Sequence, residues 1–251
     1  MDYVLLAAWC FLVALGGGLV GLVLGNIRLP AVLLLSPSPA AGTGANIGIS
    51  AVAAATASIA HIRAGRVNWR LFGWMAPPSI AGAVAGGYLS GVIPGDVLLL
   101  GIAAVLLYSA YELLVRPDVG RKRPGREGLD IPVAVISGAV IGLLGGIVGL
   151  ILGSLRMPAM VRFVGEEPAR AVGTNVTVGF LVGVAGVVGH LPSEPPDWKV
   201  LVVGAAASIP GALLGSRLTG RLSERDLLRA VGVVLLIAAA AMIASALTSA
   251  P

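Results

Sequence analysis

Long apolar runs alternate with short polar stretches along the whole chain, and they form two sets of four. The first-half runs cover residues 3–25, 46–62, 71–91 and 97–115, and the second-half runs cover 132–153, 172–190, 199–216 and 227–247. A helix needs about 20 apolar residues to cross the hydrocarbon core of a bilayer, so most of these runs are long enough to span it. The pattern predicts an all-α polytopic membrane protein with about four membrane-embedded segments in each half.

The composition supports this prediction. Of the 251 residues, 57% are hydrophobic and 12% are charged, whereas a soluble domain has about 25% charged residues. The mean hydropathy is +0.96. The 36 glycines are typical of membrane helices, where glycine lets two backbones approach closely. We therefore expect the lipid bilayer to be the solvent of this chain.

The two halves are copies of one another. The segment GGLVGLVLGNIRLPA, residues 17–31, returns as GGIVGLILGSLRMPA, residues 145–159, with ten of the fifteen positions identical. From Asn46 onward the offset is 129, so Asn46 matches Asn175, and the chain's two histidines, His61 and His190, match each other. This agreement predicts a duplicated unit that covers nearly the whole chain.

A polar, Pro/Gly-rich linker, residues 116–131, separates the copies. It divides a first membrane repeat, residues 1–115, from a second, residues 132–251. Its five basic residues are Arg116, Arg121, Lys122, Arg123 and Arg126. Cytoplasmic loops are enriched in Lys and Arg, so we place the linker in the cytoplasm.

Equivalent loops of the two halves carry opposite charge. Loop 63–70 has three arginines, whereas its counterpart 191–198 has two acids and no Lys or Arg. Loop 92–96 has a single aspartate, whereas its counterpart region 217–229 has four arginines. Two halves inserted in opposite orientations produce this pattern. We therefore predict inverted-topology repeats, with both termini on the extracytoplasmic side.

Inversion requires an odd number of crossings between residues 131 and 190, but two apolar runs lie there. The first segment of each half is therefore predicted to be a broken or re-entrant hairpin that leaves on the side it entered. Gly16–Gly18 and Gly145–Gly146 are the expected tips, the first about eleven residues, or about 16 Å of helix, into its segment. Loop 154–171 then lies inside and loop 26–45 outside. Ten short crossings or a parallel duplication are the alternatives.

Glycines at the expected tips are the first candidates for substrate contact. Gly17, Gly18, Gly145 and Gly146 would present bare backbone to a substrate near the midplane, in helices interrupted at membrane depth. The structural alternative is close helix packing, since glycines spaced by four lie on one helix face.

Paired Gly-Thr turns supply the second candidates. Thr43 with Asn46, and Thr174 with Asn175, are expected just before apolar helices. In that position they would cap the helix start. They could also accompany an anion there, because the free N–H groups and the positive dipole end favour one.

The third candidates are Arg28 and Arg156, each two residues before a proline. Proline disfavours helix in the residue before it, so each arginine is expected near a helix break. They are expected either to snorkel to the membrane interface or to attract anions at the two mouths of a path, Arg28 from outside and Arg156 from inside. His61 and His190 are expected at opposite interfaces without a direct role; a proton relay is the alternative.

Several chemistries are not expected. No P-loop, nucleophile elbow, His-Glu-x-x-His or Cys/His cluster occurs, so we predict that the chain is not an enzyme and has no cofactor or metal. Cys10 is the single cysteine. Nucleic acid is not an expected partner either, because the basic residues lie in short loops between apolar runs.

Several motifs resemble the TauE/SafE family of bacterial membrane permeases, the sulfite and organosulfonate exporters. The shared motifs occur once in each half: a Gly-rich opening before proline (17–30, 145–158), an Ala-x-Gly-Thr turn (40–43, 171–174), an Asn/Asp-Trp pair (68–69, 197–198) and a Gly-Ala-x-x-Gly helix (82–86, 211–215). The chain departs from the family at 23–25 and 151–153, where members carry a glycine cluster.

The resemblance implies a multi-pass protein of the bacterial inner membrane that exports a small anion such as sulfite or a sulfonate. We expect a secondary transporter with its path between the halves, a proton or sodium as coupling ion, and a homodimer as one possible state. A passive anion channel and a non-transporting membrane scaffold are the alternatives. The glycines and turns are carried over from the family, but the substrate is not.

Overall fold

The computed structural model describes residues 2–89, 95–115, 130–148, 150–190 and 195–249, and within these ranges every regular element is a helix. The first half contains α1 (Tyr3–Val20), α2 (Gly25–Leu33), α3 (Pro39–Arg63), α4 (Trp69–Tyr88) and α5 (Gly95–Val115). The second contains α6 (Ile131–Val148), α7 (Gly153–Ala159) with a π-helical continuation (Met160–Val164), α8 (Pro168–His190), α9 (Trp198–Thr219) and α10 (Glu224–Ser249).

The predicted all-α membrane fold is confirmed. Among the residues that the structure describes, five helices, α1, α3, α8, α9 and α10, are long and apolar enough to cross a membrane. Linker residues 116–129 and the side chain of His190 lie outside the described residues. Residues 154–171, expected as a loop, are largely helical: they form most of α7, its π-helical continuation and the start of α8.

The first segment of each half is broken, as predicted, but not at the predicted residues. Gly16–Gly18 stay inside α1, which ends at Gly21 in the left-handed conformation (φ 68°), with both Gly21 and Leu22 N–H donating to the Gly17 carbonyl. In the second half, Leu150 N–H donates to the Gly145 carbonyl in the same way. The helix continues through its interior glycines and stops where a glycine adopts the left-handed cap. The first arm therefore has 18 residues, not eleven.

Each broken segment returns to the end where it began. Leu6 and Cys10 of α1 pack with Val32 of α2 and Ile49 of α3, whereas the last turn of α1 contacts the far end of α3 through His61. The chain thus follows α3 along its length and comes back. In the second half, Asp130 N–H, just before α6, donates to the carbonyl of Val164, just after α7 (3.2 Å). These contacts define two hairpins with their ends on one side.

The two halves exchange helices through glycine contacts. Helix α1 packs on α9, and the equivalent α6 packs on α4. A Cβ on Gly82 or Gly86 would overlap backbone of α6, and one on Gly211 or Gly215 would overlap backbone of α1. These glycines therefore allow the close helix contact that their spacing predicts. The first helix of each half is held by the other half.

Equivalent helices α3 and α8 run antiparallel through the middle of the molecule. Ala51 approaches Gly183, His61 approaches Gly173, and Asp197 N–H, at the start of α9, donates to the Ala41 carbonyl. An antiparallel relation between equivalent helices is what inverted repeats produce. Inverted insertion stays a prediction, and this packing is consistent with it.

The ends of α3 and α9 meet the starts of α4 and α8 at one end of the molecule. Arg66, after α3, donates to the Ser216 carbonyl of α9 (2.7 Å), and the Asn68 amide, before α4, bonds the Glu166 carboxylate, before α8. We call this the basic end, after the arginines that lie there: Arg63, Arg66, Arg70, Arg170, Arg217 and Arg221.

Candidate functional site

The first arginine cluster consists of Arg28, Asn46, Ser50 and Gly25. Arg28 is 2% exposed. Its Nε donates to Asn46 Oδ1 (2.9 Å), and its Nη2 donates to the Asn46 carbonyl (3.0 Å) and to Ser50 Oγ (2.5 Å). Asn46 Nδ2 donates to the Gly25 carbonyl at the start of α2 (3.1 Å). The cluster therefore holds the break between α1 and α2 against α3.

The second arginine cluster consists of Arg156, Asn175, Gly153 and Gly21. Arg156 is 1% exposed, and its Nη1 lies 3.4 Å from Asn175 Oδ1. Its buried Nε has no hydrogen-bond partner among the described residues. Asn175 Nδ2 donates to the Gly153 carbonyl (3.0 Å) and, across the halves, to the Gly21 carbonyl (2.7 Å). One amide thus joins both helix breaks.

Both arginines are buried, so their expected placement at exposed mouths or at the interface is wrong. Asn46 lies seven residues into α3 and Asn175 lies seven residues into α8, which is about 10 Å of helix from each start. Because α3 and α8 are antiparallel, the clusters lie on opposite sides of the middle. Short helices α2 and α7 direct the two arginines toward the interior. The prolines that follow the arginines predict a helix break but not this direction.

The Thr/Asn pairs do not begin helices, so their expected role at a helix start is wrong. Helix α3 begins earlier, with Ser38 Oγ accepting from Ala41 N–H (3.1 Å), and α8 begins at Pro168. Thr174 is buried, and its hydroxyl accepts from the Asn68 N–H (2.9 Å), so it fastens the start of α4 rather than joining Arg156. Thr43 is half-buried in α3.

The four candidate glycines are close-packing positions related by the repeat. A Cβ on Gly17 would meet the Leu22 carbonyl oxygen at 2.6 Å, and one on Gly145 would meet that of Leu150 at 2.7 Å. A Cβ on Gly18 would meet the Ala212 carbonyl oxygen at 2.5 Å, and one on Gly146 would overlap that of Ala83.

Gly18 does not lie at the middle of the molecule, as a position near the membrane midplane would require. Gly18 lies beside His61, two residues before the end of α3. The extended breaks occupy the middle instead, where Val23 and Ile151 both approach Gly179 of α8. The sequence alone does not separate a helix interior from a break when both are rich in glycine.

A small cavity of about 20 Å³ lies between α1, the first break, α3 and α8. Its wall includes Gly17, Gly18, Arg28 and Ser50, and the rest of the lining is apolar. Arg28 is its charged wall residue. Between Ser50 and Ala57 the wall follows α3 for about 10 Å toward the basic end. The structure thus brings three of the predicted residues to one cavity.

His61 is buried, so its expected interfacial placement is wrong. Its Nε2 lies 3.2 Å from the Gly18 carbonyl oxygen at the end of α1. The half-buried Arg66 follows at the basic end, and burial lowers the pKa of its guanidinium. No group of three or more metal-ligating side chains occurs among the described residues.

Two functional contacts were missed from the sequence. Ser50 lies one turn after Asn46 on the same face of α3, a spacing that signals a shared partner. Glu112 is buried in α5 and pairs with Arg162 of the π-helical segment, and the Tyr108 hydroxyl donates to Glu112 (3.0 Å). No local pattern connects residues that far apart along the chain.

Comparison with known proteins agrees with the fold. The family model for the sulfite exporter TauE/SafE matches residues 6–242. Among curated relatives, "Probable membrane transporter protein YjnA" of Bacillus subtilis (strain 168) is 26% identical, over 84% of this chain and 89% of its own. "Probable membrane transporter protein YunE" of the same organism is 24% identical over 90% of both chains.

A third relative, "Probable membrane transporter protein ORF9" of Sinorhizobium sp, is 28% identical over 84% of this chain and 82% of its own. The family name and the relatives' names indicate membrane transport rather than enzymatic catalysis. With a family match across nearly the whole chain, and a helical fold with five candidate membrane spans, the protein belongs to the TauE/SafE family and is a multi-pass membrane transporter, not an enzyme.

Proposed function

We propose that the protein is a secondary transporter that exports a small sulfur oxyanion, sulfite or an organosulfonate, along a path between the two halves. The observation that supports this most is the burial of Arg28 and Arg156. Neither forms an ion pair with any Asp or Glu that the structure describes. Their hydrogen-bond partners are neutral amide, carbonyl and hydroxyl groups.

Two uncompensated positive charges inside a membrane protein favour an anionic ligand. A charge held in the membrane interior is costly and marks an ion or substrate pathway. Neutral oxygens solvate a guanidinium in part, but an anion adds direct Coulomb attraction, which is strong where water is excluded. Arg28 and Arg156 thus raise the affinity of the interior for a negative substrate.

The geometry of guanidinium favours an oxyanion. Its N–H groups form a planar fork that can hold two oxygens of one group, as in sulfite or a sulfonate. Arg156 retains a buried, unpartnered Nε donor, and Arg28 lines the small cavity beside α3. The candidate contacts along the path are therefore Arg28, Asn46, Arg156 and Asn175, with Gly17 and Gly18 as bare wall. Gly145, Gly146 and Thr174 do not line this cavity, so their close contacts favour packing roles, and Thr43 stays a candidate.

Cellular placement is part of the proposal. We place the protein in the bacterial inner membrane with its basic end in the cytoplasm and both termini outside. The concentration of arginines at one end supports this orientation. A proton or sodium ion is the proposed coupling ion, and the homodimer stays a prediction.

Flux measurements in proteoliposomes test the arginines. Uptake of sulfite and of ethanesulfonate is measured for wild type, Arg28→Gln and Arg156→Gln, with Arg70→Gln as the control, since Arg70 is an exposed arginine of the basic end. We expect at least about tenfold slower flux for both buried-arginine variants, which corresponds to 1.4 kcal/mol or more, and unchanged flux for the control. Unchanged flux in both would overturn the arginine role.

The substrate class has its own test. Thermal stability in detergent is measured with sulfite, sulfate, thiosulfate, ethanesulfonate and acetate, because a ligand that binds the native state raises its stability. Stabilisation by sulfite or ethanesulfonate above acetate is expected. Stabilisation by acetate alone would replace sulfur oxyanions with carboxylates. Flux that ignores every imposed ion gradient would favour the passive channel.

A further inference from the structure

His61 lies beyond the end of the cavity that faces the basic end. The cavity reaches Gly18 and Ala57, and His61 lies one turn beyond Ala57 on the same face of α3. Its imidazole is 0% exposed and contacts the Gly18 carbonyl through Nε2 (3.2 Å). An anion that moves from Arg28 along the alanine-lined wall toward the basic end therefore reaches His61 next.

The contact with Gly18 determines which ring nitrogen is free. A carbonyl oxygen only accepts, so Nε2 carries the hydrogen and Nδ1 carries the lone pair of a neutral ring. Nδ1 is buried and has no hydrogen-bond partner among the described residues. A buried acceptor without a partner is costly, and here it lies beside a transport cavity. Nδ1 is therefore an unprotonated nitrogen that can accept a proton.

The groups around His61 determine when protonation of its Nδ1 is favourable. Helix α1 presents the Gly18 carbonyl, which also accepts from the Thr219 hydroxyl of α9 (3.3 Å), and α8 presents Gly173. Arg66, in the segment after α3, is the charged group that acts on the imidazole. A proton on Nδ1 adds a second positive charge beside Arg66. An anion between them compensates both charges.

We propose that His61 binds a proton at Nδ1 whenever an anion occupies the basic end of the cavity, so that a proton crosses the membrane with the anion, whose own outward concentration gradient drives both. This inference rests on the proposed anion transport. The proton adds to the Nδ1 lone pair, Nε2–H stays on the Gly18 carbonyl, and the proton leaves Nδ1 when the anion departs. A fixed charge at this position would trap the anion, whereas a titratable one supplies charge only during passage. Linkage is reciprocal, so proton binding also favours the anion.

Coupling to a proton makes the transport of a monovalent anion electroneutral. Ethanesulfonate suits the test, because its charge does not change near neutral pH as that of sulfite does. In proteoliposomes with a trapped pH dye, ethanesulfonate flux is followed with and without a membrane potential set by potassium and valinomycin. The proteins compared are wild type, His61→Gln and, as control, His190→Gln, the repeat partner of His61.

We expect wild type and His190→Gln to move protons with ethanesulfonate and to ignore the potential. A glutamine amide can replace the Nε2–H donor but binds no proton, so His61→Gln should lose proton movement and become sensitive to the potential. Potential-sensitive wild-type flux without proton movement would overturn the inference, as would unchanged coupling in His61→Gln.

A second measurement separates this inference from the proposed substrate. The chain has two histidines, so ¹⁵N-imidazole NMR of His190→Gln in nanodiscs reports His61 alone. We expect a neutral Nε2–H ring across about pH 5 to 8 without anion, and protonation within that range when ethanesulfonate or chloride is added. A response to chloride without ethanesulfonate flux would remove the proposed substrate and keep the proton site. A ring that ignores both anions overturns the proton site even if ethanesulfonate is transported.

Discussion

The two arginine clusters occupy equivalent positions of the repeat, yet their arginines differ in hydrogen bonding. Arg28 makes three hydrogen bonds, whereas Arg156 makes a single long one and leaves Nε unpartnered. One of the missing bonds has a cause in the sequence: Ser50 on α3, which accepts from Arg28 Nη2, corresponds at the offset of 129 to Gly179 on α8. The same architecture thus fixes one arginine and leaves the other with a donor for a ligand.

Packing at the middle of the molecule disfavours a serine at position 179, the counterpart of Ser50 in the second half. A Cβ on Gly179 would meet Val23 Cγ2 at 2.8 Å, with Ile151 beside it. The two breaks cross at this point, so the chain needs a residue without a side chain on α8. Close packing of the crossing therefore excludes from the second cluster a hydroxyl equivalent to that of Ser50. Asymmetry between the clusters is a consequence of joining the two hairpins.

The largest loss of stability is expected at the glycine contacts between helices, which are the same in both halves. A Cβ on Gly86 would overlap the Leu143 carbonyl oxygen, and one on Gly215 would overlap that of Leu15. Valine at either position should reduce the free energy of unfolding by about 3 kcal/mol or more, because overpacking forces the backbones apart. Thermal unfolding in detergent measures this. Equal losses are expected, since both glycines serve the same exchanged contact.

Gly73→Ala provides the matched control for these variants. Gly73 lies within α4, and a Cβ there has open space around it. Alanine favours helix over glycine by about 1 kcal/mol, so this variant should be as stable as wild type or more so. A loss in only one of the two valine variants would mean that the helix exchange is not equivalent in the two halves.

The next largest effect is a difference in stability between variants of the two arginines. Arg28→Gln removes three hydrogen bonds and leaves Ser50 and Asn46 without their donor, whereas Arg156→Gln removes one weak contact. Hydrogen bonds to charged groups contribute about 1.5–3 kcal/mol each. Arg28→Gln should therefore be less stable than Arg156→Gln, by about 1–3 kcal/mol in thermal unfolding. If Arg156→Gln is equally destabilised, the asymmetry between the clusters is not real.

A smaller effect on stability is expected from Ser50, whose hydroxyl is present only in the first cluster. Ser50→Gly removes the hydroxyl that accepts from Arg28 and should reduce stability by about 1–2 kcal/mol. The reverse change, Gly179→Ser, should also destabilise, because its Cβ meets Val23. Combined with Val23→Ala, the serine should recover part of that loss. Stabilisation by Gly179→Ser alone would contradict the packing explanation.

The sequence predicted the elements of this fold better than their breaks. Apolar run length and the duplicated phrase predicted the helices, and the parity of crossings predicted that the first segment is interrupted. The position of the interruption depends on which glycine adopts a left-handed cap against a neighbouring helix. Gly17 and Gly21 look alike in a glycine-rich segment, but the carbonyl that accepts the cap is provided by Gly17, and the turn is made at Gly21.

The candidate site was predicted in part. Pairing across the repeat selected Arg28, Asn46, Arg156 and Asn175, which the structure brings into two clusters. Their burial could not be predicted, because the short helices α2 and α7 point inward only after the hairpins close. The partner of Thr174 was also beyond prediction, since its hydroxyl accepts from Asn68, whose neighbours are set by the other half.

The smallest expected effect concerns a contact present in the second half only. Arg162 pairs with Glu112, and the corresponding positions of the repeat are Leu34 and Ala241. The Arg162 side chain is 26% exposed and that of Glu112 is 9% exposed, so solvent weakens the pair. A double-mutant cycle with Glu112→Gln and Arg162→Gln should give a coupling energy of about 0.5–1 kcal/mol in thermal unfolding.

The pair fastens the π-helical segment to α5, so its loss should loosen the hairpin that carries Arg156 and leave the Arg28 hairpin unchanged. Hydrogen exchange at Met160–Val164, compared with that at Gly25–Leu33, measures this difference. Equal loosening of both hairpins would mean that the two halves respond as one unit and that the second is not independently anchored.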